Sequence, residues 1–103
     1  MEFLRARAAE TADVLKVLAS ESRIIILCRL IDEPCNVSQL NQSVPYLSQS
    51  AVSQHLAKLR DAGIVRCQPK GASMVYSLED MRVKDLLIRL RDLYCAPPHN
   101  SSG

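Results

Sequence analysis

Two groups of side chains in this sequence carry reactive or recognising chemistry. The first is the string Ser48-Gln49-Ser50-Ala51-Val52-Ser53-Gln54-His55. Its hydroxyls and amides both donate and accept hydrogen bonds. In a DNA major groove Gln pairs with the edge of adenine, while Ser accepts either kind of base edge. The second group is four thiols, Cys28, Cys35, Cys67 and Cys95. Without a secretory pattern such cysteines read as free thiols, metal ligands or redox groups rather than structural bridges. An enzyme is not indicated. There is no Gly-rich phosphate loop, no metal-hydrolase spacing and no pattern that calls for a cofactor, and two histidines, His55 and His99, give little general-base capacity.

A polar string reads base edges only if a helix presents it. Ser48 stands where an N-cap belongs, and Val52, Leu56 and Leu59 recur at helical spacing after it. The spacing predicts a helix from Ser48 to Ala62 with one buried stripe, closed by Gly63, which is free to take positive φ. Gln49, Ser50, Ser53 and Gln54 then share the opposite face. Such a face is more often merely solvated, so the surrounding elements decide.

Those elements read in order. Residues 3–19 form a helix on Leu4, Ala8, Ala12, Leu15 and Leu18 or Ala19. Ser20 caps a second helix, about Glu21 to Ile31, whose run Ile24-Ile25-Ile26-Leu27-Cys28 marks it as central. Asp32-Glu33-Pro34 ends it. Asn36 or Val37 opens a short third helix with Val37, Leu40 and Val44 inward, and Pro45-Tyr46 makes the turn to the Ser48 helix. Two strands, 64–68 and 73–78, flank a turn at Pro69-Lys70-Gly71-Ala72. A last helix, Met81 to Tyr94, carries Val83, Leu86, Leu87, Leu90 and Leu93 on one side. Residues 1–95 are expected to form one domain and 96–103 a disordered tail that includes His99. The fold class expected is mainly α with a β-hairpin wing, a winged helix-turn-helix.

Length and charge agree with that outline. A chain of 103 residues is one domain with a modest core, which pairing with a second copy would help. The net charge is +2, yet residues 34–57 carry no charged side chain. The positive excess falls in 58–78, where Lys58, Arg60, Arg66 and Lys70 face one acid, Asp61. That is a weak footprint for a phosphate backbone. No apolar run is long enough to span a membrane, and the N-terminus lacks the order of a signal peptide, so a cytoplasmic protein with no membrane partner is expected.

The strings LKVLASESRIIILCRL, LSQSAVSQHLAKLRDAGIV and VYSL resemble the ArsR/SmtB family of dimeric winged-helix repressors. The resemblance covers about residues 12–95. It implies a homodimer through the first and last helices that reads an inverted repeat in double-stranded DNA. The Ser48 helix would enter the major groove with Ser48, Gln49, Ser50, Ser53 and Gln54, flanked by His55 and Lys58, and the hairpin would be the wing, with Arg66 and Lys70 on phosphates. Where the family's arsenic or cadmium sensors place Cys-x-Cys, this chain has Asn36 and Ser38, with Cys35 alone beside them. Where its zinc sensors use Asp and His on the last helix, this chain has Asp85 and Asp92 and no His. No metal site is therefore assigned.

Cys28 in the IIILC run and Cys95 in the closing LYC resemble the sulfur- and redox-responsive BigR/SqrR/HlyU-like branch. That likeness implies a switch in which the two thiols join through a disulfide or a sulfur chain, with an oxidant or a reactive sulfur species as inducer. Two alternatives stand beside it: a metal-responsive repressor that recruits Cys35 or Cys67, and a winged helix that binds protein rather than DNA. The turn Ser43-Val44-Pro45-Tyr46-Leu47 looks one residue longer than the family norm, which would tilt the reading helix.

Overall fold

The structure, a computed structural model, describes residues 2–94. Cys95, His99 and the expected tail at 96–103 lie outside the described residues. The order is α1 (Glu2–Leu18), α2 (Glu21–Asp32), α3 (Val37–Ser43), α4 (Gln49–Asp61), β1 (Val65–Lys70), β2 (Ser73–Leu78) and α5 (Met81–Tyr94). It is a winged helix-turn-helix, helical apart from one antiparallel hairpin.

Local chemistry sets the boundaries. Ser20 accepts from the Arg23 amide at 3.3 Å and opens α2. Asn36 and Gln39 form a reciprocal capping box at α3, each bond 2.8 Å. Ser48 accepts from the Ala51 amide at 3.1 Å and opens α4. Gly63, with φ of +76°, turns the chain out of α4.

The core gathers between α2, α3 and α4. Ile26, Leu27, Leu40, Val52, Leu56 and Leu59 are all fully buried. Ile64, also buried, carries the chain from α4 into the wing. Val83 and Leu87 seal α5 against this core, and Leu18 does so for α1. Two expectations change. The turn of the hairpin is only Gly71-Ala72: Pro69 and Lys70 belong to β1, opposite Met74 and Ser73. Gly71 at φ +62° takes the first place of a two-residue turn, which lets pairing run to its edge. The apolar sides of α1 and α5 are also less covered than their spacing suggests, for Leu4, Leu15, Leu86, Leu90 and Leu93 remain exposed.

Cys35 does something its sequence context does not announce. It pairs with Tyr76 as an isolated bridge, its amide bonding the Tyr76 carbonyl at 3.0 Å and its carbonyl the Tyr76 amide at 2.8 Å. This single-residue bridge ties the link between α2 and α3 to the free edge of β2, and the wing is anchored to the helical body.

Candidate nucleic-acid interface

α4 positions the reading face. Its stripe of Val52, Leu56 and Leu59 is buried at successive turns, so Ser50, Ser53 and Gln54 are turned outward and exposed. Ser48 is exposed and spends its oxygen on the cap. Gln49 is exposed too, and its amide donates to the Ser38 hydroxyl on α3 at 3.1 Å. That bond holds the start of α4 against α3 and orients the Gln49 amide before any ligand arrives. Asn41 supports the intervening turn by donating to the carbonyls of Val44 at 3.3 Å and Leu47 at 2.8 Å. Tyr46, exposed in that turn, shares a 3.0 Å hydrogen bond with the Ser22 hydroxyl.

His55 is placed differently from its neighbours. It is half-buried, and its Nδ1 accepts from the Arg23 Nε of α2 at 3.1 Å. Burial holds its pKa below the ordinary value, and the positive charges of Arg23 and Lys58 push it the same way. Lys58 and Arg60 are exposed in the last turn of α4. In the wing, Arg66 donates to Ser77 at 3.3 Å and pairs with Glu79 at 3.5 Å. Its charge is therefore shared, while Lys70 sits exposed at the tip. These cations lie along α4 and the hairpin, as a phosphate-tracking surface requires.

The three described thiols occupy unlike surroundings. Cys28 is half-buried on α2, the helix against which α5 packs. The Arg91 guanidinium of α5 meets Asp32 of α2 at 3.3 Å, one turn beyond Cys28. Cys95 follows α5 by one residue in sequence and lies outside the described residues. Cys35 is fully buried and donates to the Glu33 carbonyl at 3.4 Å. Burial raises its pKa, the acids Glu33 and Asp32 add to that, and Arg29 opposes them. A thiol held protonated in this way is a poor nucleophile and a poor metal ligand. Cys67, half-buried in β1, faces Tyr76 across the hairpin. Burial raises the Tyr76 pKa, and its hydrogen bond with Cys67 adds to the shift. Among the described residues no three His, Cys, Asp or Glu side chains are grouped to hold a metal ion. Nor is any described helix long and apolar enough to cross a membrane.

Among the contacts that sequence reasoning missed are Gln49 with Ser38, Cys35 with Tyr76, and Arg23 with His55. Each joins residues far apart in the chain, and no local pattern carries them.

Comparison with known proteins places this arrangement. Residues 20–66 match the family described as "Bacterial regulatory protein, arsR family". The transcriptional activator HlyU of Vibrio cholerae is 37% identical over 95 residues, 92% of this chain and 87% of that protein. A structure of reduced HlyU from the same organism superposes with a TM-score of 0.85, over 92% of this chain and 99% of that one. The biofilm growth-associated repressor of Xylella fastidiosa is 30% identical over 95 residues, 92% of this chain and 82% of that protein. The crystal structure of BigR, a transcriptional repressor from Xylella fastidiosa, gives a TM-score of 0.83 at 30% identity, covering 93% of this chain and 97% of that one.

Proposed function

This chain belongs to the arsR family of bacterial regulatory proteins, and from that membership we propose that it is a dimeric repressor whose operator binding is switched by thiol chemistry at Cys28 and Cys95. It is a transcriptional regulator, not an enzyme. The observation that carries the DNA-reading part is the two-sidedness of α4. Val52, Leu56 and Leu59 are wholly buried, while Ser50, Ser53 and Gln54 are exposed away from that stripe and Gln49 is exposed at the first turn beside α3, ahead of a cationic wing. In this reading Gln54 and Gln49 pair with base edges, Ser50 and Ser53 with bases or phosphates, and Lys58, Arg66 and Lys70 with the backbone. Two copies joined through α1 and α5 would present two such helices to an inverted repeat.

The switch rests on the likeness to HlyU and BigR and on the position of Cys28. Its helix packs on the helix that Cys95 follows, so a covalent link there would alter how α5 meets the core. With peroxide, one thiolate becomes a sulfenic acid, and the second thiol displaces water to form a disulfide. With a polysulfide, each thiolate attacks a sulfane sulfur, breaks its S–S bond, keeps that sulfur as a persulfide and releases a polysulfide one sulfur shorter. Condensation of the two persulfides then releases hydrogen sulfide and leaves a trisulfide. Either bridge would bias the dimer between two arrangements of its reading helices.

A pool of random-sequence duplexes tests the first part. The reduced protein should enrich an inverted repeat and bind it with an affinity that falls steeply with salt. Failure to retain any duplex at low salt would favour a protein-binding role. Intact mass and peptide mapping after polysulfide or peroxide test the second part. A Cys28–Cys95 crosslink accompanied by loss of duplex binding is expected. Cys28→Ser and Cys95→Ser should bind DNA and ignore the oxidant; a normal response from either removes that cysteine from the switch.

A further inference from the structure

Arg23 holds three elements at one corner. It lies in the first turn of α2, and its side chain reaches back over the two-residue link from α1. Its Nη1 donates to the Val17 carbonyl at 2.9 Å. That carbonyl belongs to the last turn of α1, where backbone acceptors have no partner within the helix. Its Nε donates to Nδ1 of His55, at the middle of α4, at 3.1 Å. The guanidinium is planar, so these two donors keep a fixed angle to one another. A rotation of α4 about its axis, or a withdrawal of the α1 end, therefore breaks one of the two bonds.

We propose that Arg23 is a positioning residue for the reading helix: by donating at once to Val17 and to His55, it sets the rotation of α4 against the end of α1. Gln54 precedes His55 and Ser53 precedes Gln54, so the link acts on the segment that carries the reading face. A displacement of α1 then passes to that face through one side chain. The proposal rests on α4 being a DNA-reading helix.

The bond specifies a protonation state. Nδ1 can accept only if it carries no proton, so the His55 hydrogen lies on Nε2. The charged groups around the corner oppose a second proton. Burial acts first, then the charges of Arg23 from α2 and Lys58 from α4; beside them Lys16 of α1 and one acid, Asp61, line the adjoining cleft. A proton on Nδ1 would meet the Arg23 N–H head on, and the link would open. Duplex binding should therefore weaken in acid for a reason that lies inside the protein.

The test is a double-mutant cycle on a duplex that the protein itself selects from a random pool, read by fluorescence anisotropy at pH 7.5 and 5.5. Arg23→Met and His55→Leu should each weaken binding about tenfold at pH 7.5, the scale of a hydrogen bond from a charged donor. The double variant should be no worse than either single one. His55→Asn puts an uncharged acceptor, the Asn Oδ1, at the place of Nδ1. It should bind within about threefold of the wild type and lose the acid sensitivity. Losses that simply add in the double variant would show His55 acting independently of Arg23, and would overturn the proposal. So would unchanged binding in Arg23→Met. Nitrogen NMR of the His55 ring, without DNA, separates this from failure of the DNA reading. Wild type should show the Nε2-protonated neutral ring below the usual histidine range, and Arg23→Met should return its titration upward with faster amide exchange in α4. If no duplex is bound but these NMR changes occur, the link stands and the DNA reading falls. If Arg23→Met leaves the ring and the amides as they were, the link itself is refuted.

Discussion

Gln54 and Leu56 are two positions apart on α4 and face opposite ways, one exposed and one fully buried. Their substitutions should separate reading from folding. Gln54→Ala should weaken binding to the selected duplex by about 1–3 kcal/mol, with thermal stability changed by less than about 0.5 kcal/mol. Leu56→Ala should cost about 2–5 kcal/mol of stability, because the cavity it leaves has no exposed side into which to collapse. Anisotropy and thermal melting on the same samples check both. If Gln54→Ala keeps affinity and sequence preference, that side chain does not read the operator. Residues of this kind were legible in the sequence, since the apolar spacing of Val52, Leu56 and Leu59 alone determines which side chains face outward. His55 was not: its own helix leaves it beside the reading face, and only Arg23, 32 residues earlier, turns it into a tertiary acceptor. Its lowered pKa carries a sign for stability as well. The unfolded chain binds a proton near pH 6.5 while the folded chain still resists it. His55 thus contributes fully above that range, and the contribution is lost as pH falls through the lowered value. Denaturant melts of wild type should weaken over that interval, and those of His55→Asn should weaken less.

The ends of the elements follow short-range rules, which is why most were placed from sequence to within a residue or two. Gly63 is a direct case. It has φ of +76°, and a Cβ built there would meet nothing within 4 Å. Any loss on substitution is therefore conformational rather than steric contact with neighbours. Gly63→Ala should cost about 1–2 kcal/mol, and Gly63→Asn less, because Asn enters the left-handed region more readily. Equal melting temperatures for the two variants would contradict this account. At the other end of the domain, Asp80 supports the start of α5. It accepts from the amides of Arg82 at 2.9 Å and Val83 at 3.4 Å, at the start of α5. The Arg82 side chain, bonded to the same carboxylate, lowers its pKa, and the two amides add to that against a cost of burial. Asp80 contributes in its ionised form, fully above the ordinary carboxylate range near 3.9, and the contribution is lost as pH falls through the lowered value. Asp80→Ala should lose about 1 kcal/mol at neutral pH, and Asp80→Asn, which keeps an accepting oxygen, less. Pro69 and Lys70 are turn residues by composition, yet both are paired in β1. What decides the matter is the single positive φ at Gly71, and composition does not show which residue takes it.

At the scale of the molecule the chain looks unfinished as a single copy. Its radius of gyration is 15.2 Å, whereas a compact domain of this length has about 13 Å. The excess is consistent with α1, which buries only Leu18 and leaves Phe3, Leu4 and Leu15 exposed. α5 repeats the pattern, sealing Val83 and Leu87 inward and leaving Leu86, Leu90, Leu93 and Tyr94 exposed. Two adjoining helices with apolar outer faces are what a second copy would cover, and a two-fold pairing is the simplest closed arrangement. The sequence showed these faces as helical stripes, but periodicity alone cannot tell whether a stripe is covered by its own chain or by another. Leu90→Asp and Leu93→Asp put a charge on the outer face of α5 without touching Val83 or Leu87. Sedimentation equilibrium should find twice the chain mass for wild type and a shift toward the single-chain mass for the variants. Duplex binding should fall with it, since each half-site then binds alone and the gain from linking the two is lost. Far-ultraviolet circular dichroism should show the helices largely kept. A wild type that sediments as a single chain at micromolar concentration would refute the pairing. It would also leave one α4 to read one half-site, so selection from the random pool should then yield no inverted repeat. The oligomeric state and the symmetry of the selected DNA are thus two independent readings of one claim, and they must agree.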